Sequence, residues 1–253
     1  MSILDNLVDQ RMLGVSEEIC PGDTMFGDNI DHYVHVGRSA LRCVMLVMLA
    51  AGKDEFSNIL DLPCGYGRVT RALRAAFPAA ALTACDTERD GVDFCVRAFG
   101  VQGVYGEAMP NPTALRGPFD LIWCGSLLTH LDAPRWVEFL RVFDALLSDD
   151  GVLVFTTHGR RVADWMRTGH STYGLAPDAL AEVLRGCDRD GFGYRDYSHS
   201  TEYGISVATP AWAYRQLEQV PALRLLTYSE AAWDNHQDAI GCARTALPAD
   251  TPP

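Results

Sequence analysis

From Ser57 onward the chain alternates short apolar runs with stretches of helical periodicity, and this alternation restricts the fold more than any other feature. Strands are expected at Asn58–Leu62, Ala81–Cys85, Gly103–Tyr105, Asp120–Cys124 and Val152–Thr156, each a short apolar run bounded by turn residues. Helices are expected between them at about Arg68–Ala76, Gly91–Phe99 and Pro134–Leu147. In the last, Trp136, Phe139, Leu140, Phe143, Leu146 and Leu147 fall at helical spacing, and Asp132 is placed to cap the free amides. Asp149-Asp150-Gly151 then reads as the turn into the next strand. Five strands interleaved with helices give a doubly wound, mostly parallel α/β sheet, because right-handed crossovers are the favoured way to join neighbouring parallel strands.

Outside this core the pattern loosens. Arg38–Ala51 reads as a mostly buried helix that follows a loop of aromatic and polar residues from Phe26 to His35. Arg160–Ser206 is rich in Gly, Tyr, His and Arg, and two readings of it stand side by side: a functional cover over the sheet edge, or an irregular and inert insertion. Ala211–Gln219 is helical in pattern. Leu223–Tyr228 and Ala239–Ala243 are placed to close the sheet as an antiparallel hairpin connected through Glu230–Asp238, and a Pro-rich tail at Leu247–Pro253 is expected to fray.

Composition narrows the partners. With 33 acidic against 21 basic residues the net charge is -12, which repels a phosphate backbone, so a small molecule is expected as partner and not a nucleic acid. The eight cysteines include no C-x-x-C pair and no short Cys/His spacing, so neither a metal site nor a disulfide framework is expected, and a reducing cytoplasm suits them. Met1–Gln10 lacks the basic and apolar regions of a signal peptide. The longest apolar stretch, Cys43–Gly52, falls short of the ~20 residues of a membrane span, so no membrane crossing is expected.

The chemistry gathers at one place. The strand Ile59-Leu60-Asp61-Leu62 runs directly into Pro63-Cys64-Gly65-Tyr66-Gly67-Arg68-Val69-Thr70, which opens a helix. Glycines there let the backbone approach a ligand, the helix N-terminus adds unpaired amides, and Asp61 can accept from an ammonium group. Such a loop suits a zwitterionic amino-acid moiety. The next strand ends at Cys85-Asp86, 25 residues after Asp61, where a carboxylate can take both hydroxyls of a ribose. After the third strand Gly106-Glu107-Ala108 places a polar group where a purine edge could lie, and Phe119-Asp120-Leu121-Ile122 delivers a fourth strand ending at Cys124-Gly125-Ser126 beside the same pocket.

In these pieces, from about Tyr33 to Gly159, the sequence resembles the class I S-adenosylmethionine-dependent methyltransferases. The resemblance implies a Rossmann-like fold with a seven-stranded, mostly parallel sheet and a C-terminal antiparallel hairpin, with S-adenosylmethionine as cofactor. It implies that Asp61, Leu62, Pro63, Cys64, Gly65 and Gly67 wrap the methionine part and that Asp86 and Thr87 hold the ribose. By the same resemblance Glu107 and Ala108 border the adenine, Cys124, Gly125 and Ser126 line the methyl side, and Tyr33 reaches the methionine carboxylate. Pro63 departs from the family, standing where a glycine is usual and removing an amide donor. One domain is expected: a helical N-terminal cap at 1–56, a cofactor-binding core at 57–159, an acceptor-side cover at 160–210, and a closing helix and hairpin at 211–246.

An activated methyl donor requires the protein mainly to align an acceptor and exclude water; a base is needed only where the acceptor must lose a proton. Two histidines are candidates, His158 at the end of the fifth strand and His130 after the fourth. Each also has a structural reading, His130 the more so. On the acceptor side Trp233 and His236 in Trp233-Asp234-Asn235-His236, with Tyr203, could stack on and hydrogen-bond a polyol; a hairpin turn and core packing are their plainer roles. The acceptor expected is a hydroxyl, and second an amine, of a small or carbohydrate-like metabolite. Two alternatives remain: a protein that binds the cofactor without catalysis, and a nicotinamide-dependent oxidoreductase, for which the third glycine of its fingerprint is missing at Thr70. The exposed aromatics of the C-terminal half serve either the substrate cover or a homodimer interface.

Overall fold

A computed structural model describes residues 2–245, so the tail expected at Leu247–Pro253 lies outside the described residues. In chain order the elements are α1 (Ile3–Arg11), α2 (Ile30–Ala51), β1 (Asn58–Asp61), α3 (Thr70–Ala76), β2 (Ala81–Asp86), α4 (Arg89–Phe99), β3 (Gln102–Tyr105), α5 (Pro112–Leu115) and β4 (Phe119–Cys124). A single 3-10 turn (Leu128–His130) follows, then α6 (Ala133–Leu146), β5 (Leu147–Thr157), α7 (Arg160–Thr168), α8 (Pro177–Asp190), β6 (Phe192–Asp196), β7 (Gly204–Ala208), α9 (Pro210–Leu217), β8 (Leu223–Trp233) and β9 (Gln237–Arg244).

The main sheet has seven strands in the order β3-β2-β1-β4-β5-β9-β8. Its first five are parallel, and β9 and β8 join antiparallel, with Phe155 opposite Ile240. The chain steps outward from β1 to β3 and then returns to lay β4 on the other side of β1, where Ile59 faces Leu121. That reversal opens a crevice beyond the carboxyl ends of β1 and β4, the place where doubly wound sheets bind ligands.

Both faces of the sheet are covered, so its strands are apolar at consecutive positions. Ile59, Leu121, Val152 and Val154 pack under α2, α3 and α4 through Ala40, Val44, Leu73 and Phe94. Leu60, Ile122, Leu153 and Phe155 face the other way onto Trp136, Leu140 and Phe143 of α6. Asp132 caps α6 by accepting from the Arg135 amide at 3.2 Å, as expected. A third apolar group, Val162, Met166, Val183, Ile205 and Val207, lies under α7, α8 and the β6–β7 hairpin. Residues 160–206 are therefore regular structure with an apolar core of their own, which removes the reading of an irregular insertion.

Three boundaries differ from expectation. Helix α2 begins at Ile30 and not Arg38, because Asn29 accepts from the His32 amide and Tyr33 and Val36 continue the buried stripe through what looked like loop. By length and composition alone its 22 residues match a membrane span; here its buried side is packed on the sheet. Strand β5 starts at Leu147, since Asp149-Asp150-Gly151 is absorbed as a bulge between the pairs Phe119/Leu147 and Leu121/Val152. Strand β8 runs on to Trp233 through another irregularity after Ser229, leaving Asp234–His236 as the connection in place of Glu230–Asp238.

Candidate functional site

Asp61 ends β1 with no exposed surface. One carboxyl oxygen, Oδ2, accepts from Thr70 Oγ1 at 2.6 Å, and the other, Oδ1, has no partner. Desolvation pushes its pKa up to about 7, the nearby charge of Asp86 adds to the rise, and the Thr70 hydroxyl opposes it. Thr70, where a third glycine would stand in a dinucleotide site, thus orients the carboxylate.

The loop after Asp61 turns through Gly65 (φ 50°) and Gly67 (φ 78°), backbone that suits glycine. It is tied down by its own amides: Cys64 donates to Cys85 O at 3.0 Å and Gly65 to Asp86 Oδ2 at 2.7 Å. Asp86 Oδ1 accepts from the Glu88 amide at 3.0 Å and from the Thr87 hydroxyl at 3.4 Å; a carboxylate has about four lone-pair positions, so one stays open and the long Thr87 contact is the one a second donor would displace. Helix α4 presses against this loop at Gly91, whose missing Cβ would stand 2.4 Å from Gly65 O. Cys64 and Cys124 are buried in the two main cores, which leaves only their backbone to meet a ligand.

Beside the loop lies a cavity of about 260 Å³, just under the ~300 Å³ at which small-molecule pockets usually begin. The expected Leu62, Pro63, Asp86, Thr87, Glu107 and Ala108 line it. Of its remaining walls the sequence had marked Gly106 and Tyr203; it missed Pro110, then Leu127, Leu131, Arg135 and Phe139 behind β4, and Thr201 and Glu202 from the connection between β6 and β7. Tyr203, expected on the acceptor side with Trp233 and His236, stands instead in this cavity opposite Asp86.

On the side away from the cavity, Ser126 adopts φ 59° at the end of β4. Its amide donates to Thr156 Oγ1 at 2.8 Å, Thr156 donates to Gln237 Oε1 at 2.6 Å, and Gln237 Nε2 donates to Ser126 Oγ at 3.0 Å. This closed ring joins β4, β5 and β9. Trp233 is occupied by packing: its indole nitrogen donates to Val36 O at 3.1 Å and its ring meets Trp123 edge-on at 5.4 Å. Tyr33, expected at the methionine carboxylate, is buried too, with its hydroxyl donated to Asp23. Arg68 lies beside it. Its guanidinium lies near the Tyr33 and Trp233 rings, and among the described residues it is the one partly shielded arginine with neither hydrogen bond nor ion pair. A sequence signal existed, a lone basic residue inside the glycine loop.

The two histidines share one support. His158, buried at the end of β5, donates from Nδ1 to Ser206 O at 3.2 Å. His130 donates from Nδ1 to Gly204 O at 2.7 Å. A carbonyl only accepts, so in each neutral ring the lone pair is on Nε2. Burial holds both pKa values below the usual histidine range, and for His158 the neighbouring His236 and His130 push the same way. His236 is bonded to Tyr173 Oη at 2.8 Å and stacked on Trp165.

The donor set suits a zwitterion joined to a nucleoside. The orphaned Asp61 oxygen is paired with no cation of the protein, Arg68 is bonded to no anion although it feels the charges of Asp23 and Asp234, and Asp86 with Glu107 borders a volume large enough for one nucleoside. Residues 59–151 match the family described as a methyltransferase domain. Over 157 residues the chain is 28% identical to the malonyl-[acyl-carrier protein] O-methyltransferase of Halalkalibacterium halodurans, covering 60% of this chain and 54% of the relative; it therefore spans about half the length of the curated relative it matches. The fold is shared with an S-adenosylmethionine-dependent methyltransferase from Clostridium acetobutylicum (TM-score 0.59, 13% identity, 83% of this chain and 92% of that one). It is shared as well with the 1,6-didemethyltoxoflavin-N1-methyltransferase of Burkholderia thailandensis (TM-score 0.55, 16% identity, 87% of each).

Proposed function

We propose that this protein binds S-adenosylmethionine and methylates a hydroxyl of a small or carbohydrate-like metabolite, a reading supported by the match of residues 59–151 to a methyltransferase domain and by the shared fold. The observation that carries this reading is the pairing of Asp61, with one oxygen free, and Asp86 on the two sides of one glycine loop. Asp61 Oδ1 would accept from the cofactor's ammonium, Arg68 would meet its carboxylate, Asp86 would take the ribose hydroxyls, and Leu127 with Glu107 and Ala108 would border the adenine.

When bound, the cofactor supplies a methyl group already activated on a sulfonium, so the protein contributes alignment and dryness more than acid-base power. Ser126, held in its left-handed turn by Thr156 and Gln237, shapes the methyl side. His158 is the acceptor-side base: its Nε2 lone pair takes the hydroxyl proton, and Nδ1 remains donated to Ser206 O. His130 serves the cofactor side, stacked on Tyr203 at 4.7 Å. The relative from H. halodurans is an O-methyltransferase by name, which supports oxygen as the acceptor atom.

Calorimetric titration with S-adenosylhomocysteine and, separately, NADH tests the cofactor. Micromolar binding of the first alone, weakened roughly tenfold or more by Asp86→Ala, is expected from the loss of charged hydrogen bonds. Binding of NADH alone, or of neither, overturns the reading.

A further inference from the structure

The cavity beside Asp86 is not closed by residues 59–151 alone. Thr201, Glu202 and Tyr203 form part of its wall, and they belong to the hairpin of β6 and β7. This connection is built into place. Arg135, itself a lining residue, donates to Glu202 O and, at 3.2 Å, to Tyr194 Oη of β6, while its Nε is held by Asp132 at 3.0 Å. Glu202 adopts φ 64°, a conformation that a non-glycine residue keeps only where its surroundings impose it. The Tyr203 ring lies at 20° to His130, yet 44% of the Tyr203 surface is left uncovered by the protein. Its phenol also feels the charge of Asp86. A half-open aromatic ring, latched in place opposite the carboxylate that takes ribose hydroxyls, lacks only a flat or polyhydroxylated partner.

We propose that Tyr203 binds the nucleoside part of the cofactor, held in place for it by the Arg135-latched hairpin. This rests on the reading that the cavity takes the cofactor's nucleoside. A consequence follows from strand β7, which runs on from Tyr203: its Gly204 and Ser206 carbonyls hold His130 and His158. The seated hairpin therefore also holds both histidines with Nε2 free.

The test uses the full chain and two probes, S-adenosylhomocysteine and 5′-deoxy-5′-methylthioadenosine, which lacks the amino-acid moiety. Equilibrium titration and stopped-flow displacement are run on wild type, Tyr203→Ala, Tyr203→Phe and Arg135→Ala. Tyr203→Ala is expected to weaken both probes by the same factor, roughly three- to tenfold, through faster dissociation. Asp61→Ala is expected to weaken S-adenosylhomocysteine alone. Arg135→Ala speeds dissociation of both probes and carries the test if Tyr203→Ala does not fold, whereas Tyr203→Phe keeps the ring and is expected to bind both probes as wild type does. Unchanged affinity and dissociation in Tyr203→Ala and Arg135→Ala, where wild type binds, overturns the role of Tyr203 and the hairpin only. Failure of wild type to bind either probe overturns the cofactor reading and this inference with it.

Discussion

Asp61 holds one oxygen against Thr70 and leaves the other against nothing, and this asymmetry makes its charge a reporter of ligand. With its pKa up to about 7 in the ligand-free protein, the carboxyl carries a proton below neutrality that must be released when an ammonium group arrives. Affinity for S-adenosylhomocysteine is therefore expected to rise with pH, by up to about tenfold per unit below 7, and to level off above it. Calorimetry across about pH 5.5 to 8.5 checks this; a slope that persists unchanged in Asp61→Asn would assign it elsewhere. Gly91 makes a second claim at this scale. A methyl group there would stand 2.4 Å from Gly65 O, so Gly91→Ala is expected to cost about 1–3 kcal/mol and to displace the loop, weakening S-adenosylhomocysteine as well. Urea unfolding alongside titration measures both losses. Asp61 and Asp86 were legible as sequence because each ends a strand the apolar pattern marks, and Glu107 because it lies two residues beyond another. Gly91 and Arg68 were not singled out, since what they approach is fixed by how α4 and α2 pack.

At the scale of elements, the junction of β5 with α7 depends on one small residue. Gly159 lies so close to Asp238 that an added Cβ would be 2.0 Å from its carboxylate. Asp238 cannot yield, being buried and bonded to Tyr228 Oη at 2.8 Å and to the Ala231 amide at 2.8 Å. Gly159→Ala is expected to separate the α7–β7 cover from the sheet. Loss of soluble protein, or a drop of about 3 kcal/mol or more in urea, is the outcome sought, and wild-type stability would contradict it. The helices and strands of the core were readable because burial on both faces writes continuous apolar runs. The bulges at the start of β5 and after Ser229 were not, because an extra unpaired residue changes register without changing composition. The helices and hairpin within 160–208 were not read for a related reason: their apolar contacts at Val162, Met166 and Val183 are spread among polar and aromatic residues, so the periodicity is faint.

For the molecule as a whole, two buried groups in one site tilt stability in opposite directions. His158 stays neutral inside, so its contribution is complete above the ordinary value of 6.5 and is lost as pH falls below it, because the unfolded chain then binds the proton. Asp61 stays protonated to about 7, so the unfolded chain ionises first and folded stability declines as pH rises from the carboxylate range to that point. Asp61→Asn is accordingly expected to stabilise the ligand-free protein at about pH 8, a result that urea midpoints can refute. Ligand should stabilise the wild type instead: at a hundredfold excess over Kd the gain is about 2.7 kcal/mol, roughly 5–10 °C in Tm for a chain of this length. The parallel sheet, its glycine loop and the two carboxylates flanking it could be read from the chain, since strand periodicity and a motif contained in one strand-turn-helix unit are local properties. Tertiary structure alone brought Tyr203 and Arg135 to the wall of the cavity beside Asp86, withdrew the hydroxyl of Tyr33 into a bond with Asp23, and aligned both histidines on one strand. Those are contacts between residues distant along the chain, and their geometry exists only after the cover has packed on the sheet.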